Sequence, residues 1–114
     1  DLMFYQLRGR DGSQDPMSAG TLVSSDGIVT HVRAEDVDIR VDDTWDSPEG
    51  GTYPAAWTLQ LPERSLTMRI KPVIANQELF TTVRYWEGAV DVSGEYGGRP
   101  VSGRGYVELT GYAD

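Results

Sequence analysis

The sequence predicts an all-β protein, an antiparallel up-and-down barrel of about eight strands. Three observations carry that expectation. Apolar residues recur at every second position in most segments, which is the mark of strands with one face buried. The 13 glycines and 6 prolines are spread among those segments, as a chain with many turns requires. No window holds a convincing helical period, and the best candidate, Ala75 to Phe80, is too short to be one.

The strands follow in order. Leu2 to Leu7 is apolar on both faces, which predicts a strand covered on both sides, the second cover being a partner domain outside this chain. Thr21 to Ser24 and Ile28 to Arg33 flank Ser25-Asp26-Gly27, and the Asp-Gly step predicts a hairpin. Val37, Ile39 and Val41 alternate with Asp36, Asp38, Arg40 and Asp42. Trp57, Leu59 and Leu61 alternate with Thr58 and Gln60 until Pro62 closes the strand. Pro62 to Ser65 reads as a short turn into Leu66, Met68 and Ile70, which alternate with Thr67, Arg69 and Lys71. Val90 and Val92 alternate with Asp91 and Ser93 ahead of a turn region at Gly94 to Gly98. In the last strand Val107 and Leu109 oppose Tyr106, Glu108 and Thr110. Neighbour-to-neighbour hairpin signals favour a meander, and closure into a barrel would remove exposed edges. A barrel of this size is filled by side chains or holds one small ligand. Thr44 to Pro54 and Pro72 to Gly88 resist the scheme, and loops of that length tend to be functional or to cover an open end.

With 114 residues the chain is expected to be one domain, residues 1–114. A net charge of −8 argues against nucleic acid, whose phosphates demand a surplus of Lys and Arg. The acidity reads as a solubility device. With no cysteine there is no disulfide, no thiolate nucleophile and no zinc–thiolate site. No apolar run approaches the ~20 residues that span a bilayer, and no signal peptide is visible. The chain starts at Asp1 without a methionine, which fits a processed protein or an excised fragment.

Few constellations offer chemistry. His31 is the single histidine, so no His-rich metal site can form, and no G-x-S-x-G elbow is present for a hydrolytic triad. Gly103 and Gly105 lack the helix that a dinucleotide fingerprint needs. The acidic run Glu35, Asp36, Asp38, Asp42, Asp43, Asp46 fails a calcium loop, because Arg40 interrupts it and no glycine falls at the turn. No metal and no cofactor is expected. The informative segment is Tyr85-Trp86-Glu87-Gly88. A carboxylate between aromatic residues can be desolvated, which raises its pKa toward a value useful for a general acid. Glu87 is therefore the candidate catalytic residue, with Glu108 as a second carboxylate for the same space. Equally, Tyr85 and Trp86 could be core residues and Glu87 a structural partner. Trp45, Tyr53 and Trp57 could line a hydrophobic pocket or simply pack the core.

Tyr85-Trp86-Glu87-Gly88-Ala89-Val90, then Gly94, then Gly103-Arg104-Gly105-Tyr106-Val107-Glu108-Leu109-Thr110-Gly111-Tyr112 resemble the C-terminal signature of the carotenoid 1,2-hydratase (hydroxyneurosporene synthase) family, which includes predicted secreted hydrolases. Trp45-Asp46-Ser47-Pro48, Tyr53-Pro54-Ala55-Ala56-Trp57 and Leu61-Pro62 are similar to the same family. The resemblance implies a lipocalin-like barrel, the C-terminal one of a two-domain protein, with an N-terminal lipocalin-like domain as its partner. It implies export to the periplasm or cell envelope and an apolar cavity for a hydrophobic small molecule. Family members acting on carotenoids protonate a terminal double bond and add water to the resulting cation. On that reading Glu87 is the acid, while Trp86, Tyr85 and Trp57 exclude water and face the cation. The competing readings are a non-catalytic structural or interaction domain, a lipid or polyene carrier and, last, a sugar-binding sandwich.

Overall fold

The computed structural model describes residues 1–113, and among these nine strands form two antiparallel sheets, one of three strands and one of six. The all-β expectation holds at that level. The closed barrel of eight strands does not, because among the described residues neither sheet closes on itself. Alternation decides which residues share a face, and it reads the same in an open sheet as in a barrel. No helix among the described residues is long and apolar enough to cross a membrane.

The chain divides into two compact units, Asp1–Asp38 and Ile39–Asp114. The first contains β1 (Leu2–Tyr5), β2 (Ala19–Val23) and β3 (Val29–Arg33), in the order β1-β2-β3. The expected Asp-Gly hairpin joins β2 to β3, with Gly27 at φ 85° and Ser24 N donating to the Ile28 carbonyl at 3.0 Å. Within this chain Met3, Tyr5 and Leu7 are all exposed, so β1 is covered on one side by the chain itself.

The six-stranded sheet is built from β4 (Asp38–Asp46), β5 (Thr52–Leu61), β6 (Leu66–Pro72), β7 (Glu78–Phe80), β8 (Arg84–Tyr96) and β9 (Arg99–Thr110). Its order is β4-β5-β6-β8, with β9 along the other edge of β8. β6 and β7 share one edge of β8 in succession, β6 from Tyr96 back to Val90 and β7 from Trp86 to Arg84. The supposed loop Thr44 to Pro54 shrinks to a tight turn. Ser47 N donates to the Gly51 carbonyl at 2.9 Å, and Gly50 and Gly51 take φ of 88° and 91°.

Register fixes the faces. Trp57, Leu59 and Leu61 lie opposite Ile70, Met68 and Leu66, and Ile70 lies opposite Val92. Trp86 pairs with Leu109 and Gly88 with Val107, so the same face continues across β9. Cβ atoms alternate along a strand, which sends Arg69, Lys71, Asp91, Ser93, Glu95, Arg104 and Glu108 to the other face. The sheet thus has one apolar and one polar face. On the apolar side Tyr53, Trp57, Trp86, Val90 and Leu109 form a buried cluster, with Ile39, Trp45, Ile70, Val92, Val107 and Tyr112 packed against it. Gly94 permits the β6–β8 contact, since a Cβ there would sit 1.8 Å from the Thr67 carbonyl oxygen.

Candidate functional site

The buried ionisable centre of the sheet comes from the segment that alternation could not resolve. The β7–β8 hairpin pairs Glu78 with Trp86 and Phe80 with Arg84, which puts all four on the apolar face. The Glu78 side chain is 1% exposed and that of Arg84 18%. A carboxylate so far from water is tolerated only if it is paired and hydrogen-bonded.

Glu78 meets that condition. Ser47 Oγ donates to Oε1 at 2.6 Å, the Tyr53 hydroxyl to Oε2 at 2.7 Å, and Arg84 Nη2 to Oε2 at 2.9 Å. Arg84 also donates to the Gly50 carbonyl and lies 5.5 Å from the centre of the Phe80 ring. The β4–β5 turn, the start of β5 and the β7–β8 hairpin therefore meet on one carboxylate. Burial alone would raise the Glu78 pKa, but the hydrogen bonds from Ser47, Tyr53 and Arg84 together outweigh it and hold the group below its ordinary value. Tyr53 shifts the other way, to about 12, through burial first and then the hydrogen bond to Glu78. At neutral pH the centre is thus a carboxylate anion beside a protonated phenol and a guanidinium. Its surroundings are aromatic: the Tyr53 ring lies 6.0 Å from Trp45, stacked, and 6.1 Å from Tyr112, tilted.

Of the residues singled out in the sequence, Trp45, Tyr53, Trp57 and Trp86 all belong to this apolar cluster. Tyr85, Glu87 and Glu108 fall on the opposite face. Glu87 lies opposite Glu108, its neighbour across the ladder, and accepts a hydrogen bond from the Tyr106 hydroxyl. Tyr106 is 66% exposed, and its pKa is raised by desolvation and then by Glu87. The expectation that Trp86 and Trp57 shield Glu87 is corrected here: adjacent residues of a strand point to opposite sides, so Trp86 and Glu87 cannot share a pocket. His31 is an exposed residue of β3 opposite Thr21. Among the described residues no group of three or more His, Asp or Glu converges as metal ligands would.

The first unit holds an open groove lined by Tyr5, Met17, Ser18, Arg33 and Glu35 among others. Arg33 pairs there with Glu35 at 3.3 Å, and the Ser18 hydroxyl is taken by the Leu7 amide at 2.8 Å. The groove thus offers a ligand little convergent polarity.

The AttH-like profile matches residues 1–112. The chain belongs to the AttH-like family. It is similar over 98% of its length to the crystal structure of an AttH protein from Nitrosomonas europaea, with 33% identity and a TM-score of 0.83, and covers 35% of that chain. It also shares the fold of kievitone hydratase from Nectria haematococca, at 19% identity and a TM-score of 0.76, covering 96% of this chain and 34% of that one. The chain thus spans about a third of the length of each of these structures. No curated protein matches it. The resemblance to carotenoid hydratases resolves into membership of the AttH-like family with a hydratase-like fold, without a specific carotenoid hydratase assignment.

Proposed function

We propose that the six-stranded sheet of this AttH-like domain supplies one wall of a site for a hydrophobic, unsaturated small molecule in a longer, hydratase-like protein. The observation that carries the reading is the apolar sheet face closed at one end by a buried Glu78–Arg84 pair, where Glu78 accepts from Tyr53, whose ring lies against Trp45 and Tyr112. Adding water to a carbon–carbon double bond, or removing it, passes through a centre with positive character. Aromatic π faces in a dry site stabilise that charge, and Glu78, its own charge offset by Arg84, holds the Tyr53 ring in place through its hydroxyl. Being ionised and paired with Arg84, Glu78 is a structural centre of the wall and not a proton donor. The acid that protonates the double bond then lies elsewhere in the longer protein, outside this apolar face, since Glu87 points to the other side of the sheet.

The wall itself has room. Ile70, Val92 and Val107 are only partly buried, and a Cβ added at Gly103, which pairs with Val92, meets nothing within 4 Å. Gly103→Glu therefore places bulk and charge on the wall at little cost to the fold, and Ser102→Glu does the same on the opposite face. All-trans-retinol, titrated against tryptophan fluorescence, is expected to bind the Ser102→Glu variant like the parent. It should bind Gly103→Glu at least about tenfold more weakly, equivalent to 1.4 kcal/mol. Equal binding by both variants, or none by the parent, would rule out the wall.

A further inference from the structure

The segment between β6 and β7 poses a problem that the structure solves with a side chain. β6 leaves the β8 ladder at the Pro72–Val90 pair, and β7 rejoins it at Glu78–Trp86. Val73 N still donates to the Ala89 carbonyl at 3.0 Å, and Ile74 to Asn76 bulge away in between; all four residues from Val73 on are exposed. Strand β8 nevertheless keeps its ladder. Ala89 N donates to Gln77 Oε1 at 3.0 Å, and Gln77 Nε2 donates back to the Ala89 carbonyl at 3.2 Å. A primary amide has one acceptor and a pair of donors in one plane, so it can pair with Ala89 as a strand residue would. Its remaining donor reaches the Ile74 carbonyl at 3.0 Å and closes the bulge on itself. Two more bonds pin the excursion to β8. Glu87 N donates to the Gln77 carbonyl at 3.3 Å, and Trp86 Nε1 donates to the Ala75 carbonyl at 2.8 Å.

Gly88 is the receptor for this amide. A Cβ at Gly88 would lie 2.1 Å from the Gln77 amide carbon and its oxygen, a distance no packed side chain tolerates. The Trp86-Glu87-Gly88 step therefore has a defined mechanical role, in which an indole N–H, a backbone N–H and a missing Cβ grip the bulge that ends at Gln77. The next residue is Glu78.

We infer that Gln77 and Gly88 are positioning residues, a clamp that sets where the Glu78 carboxylate sits relative to Ser47, Tyr53 and Arg84. Gln77 spans the gap in the ladder, Gly88 makes space for it, and the adjacent Cα is thereby fixed at the point where three donors converge. This rests on the proposed function only for its importance to a ligand; the clamp itself is a property of the unliganded chain.

The test reads the carboxylate directly. In the chain labelled with carbon-13 at the glutamate carboxyl, the Glu78 resonance is titrated in the parent and in Gln77→Ala, with Glu78→Gln assigning the signal. The parent group should titrate below the ordinary glutamate value of 4.5. Release of the clamp leaves the carboxyl buried with poorer donors, so its midpoint should rise by about one pH unit or more in Gln77→Ala. A merely structural Gln77 would lower the urea midpoint and leave that titration in place, which overturns the inference. Gly88→Ala supplies a second readout. If its clash is with the amide, most of the loss in urea midpoint it causes should vanish when Gln77→Ala is already present. Additive losses from the two substitutions would show that Gly88 is not the receptor. Neither measurement uses a ligand, so failure of the retinol experiment and failure of the clamp are separate results.

Discussion

Substituting Glu78 tests the buried centre quantitatively. Glu78→Ala removes the acceptor of Ser47, Tyr53 and Arg84 at once. Tyr53 is fully buried, so water has no ready route to its hydroxyl, and an unsatisfied donor of that kind costs about 1–3 kcal/mol. Arg84 retains the Gly50 carbonyl but loses its counter-charge in a site where its side chain is 18% exposed. Breaking a buried ion pair by removing one partner costs about 3–5 kcal/mol, and the expected loss for Glu78→Ala is of that size. Glu78→Gln keeps the volume and one acceptor but not the charge, so its cost should be about 1.5–3 kcal/mol, the worth of hydrogen bonds to a charged group. Replacing both partners, as in Glu78→Leu with Arg84→Met, leaves no orphaned charge and should cost at least about 2 kcal/mol less than the sum of the two single variants. Urea unfolding followed by tryptophan fluorescence reads all of these, because Trp57 and Trp86 are buried in the same cluster. A cost under about 1 kcal/mol for Glu78→Ala, or strict additivity of the pair, would refute the reasoning.

Further outcomes are expected. Because the folded-state pKa of Glu78 lies below its ordinary value, the unfolded chain binds the proton first on acidification. Its contribution is complete above about 4.5 and lost as pH falls through the folded pKa, so urea midpoints in that acid range should fall more steeply for the parent than for Glu78→Gln. Tyr53 has the opposite sign: its pKa is raised from 10.0 to about 12, so its contribution is full below pH 10 and fades toward 12, a loss that Tyr53→Phe should abolish in alkaline denaturation. Gly94→Ala drives a Cβ to 1.8 Å from the Thr67 carbonyl oxygen and should open the β6–β8 ladder, seen as faster amide exchange around Met68 and Ser93 and a loss of about 1–3 kcal/mol. Ser65→Gly should stabilise the chain by up to about 1 kcal/mol in thermal unfolding, since Ser65 is a non-glycine residue held at φ 50°.

The parts of the fold legible in the sequence are those where one side is buried and the other is not. Trp57-Leu59-Leu61 and Leu66-Met68-Ile70 announce their strands and even their pairing, because Pro62 to Ser65 leaves space only for a tight turn. Asp26-Gly27 does the same for β2 and β3. Closure is not legible, since it depends on which edges meet and not on alternation. The centre at Glu78 escapes for a different reason. β7 is three residues long and follows an irregular bulge, so Glu78, Leu79 and Phe80 are too few to display a period. The signal that could have found it lies in the hairpin. Reading back from the strand that starts at Arg84 across the short bend at Thr81 to Val83 pairs Phe80 with Arg84 and Glu78 with Trp86. Glu87 stands out in sequence for sitting beside Trp86, and it is separated from that indole in space for the same reason.

The proposed apolar wall is the central claim, and its direct test is a structure of the chain crystallised with all-trans-retinol. The polyene is expected along Trp57, Ile70, Val92 and Val107, crossing the bare surface at Gly103, with one end toward Trp45 and Tyr112 around Tyr53, the phenol hydrogen-bonded to Glu78. A ligand bound on the polar face beside Glu87 and Glu108, or an apolar face that stays unoccupied at saturating retinol, would contradict it.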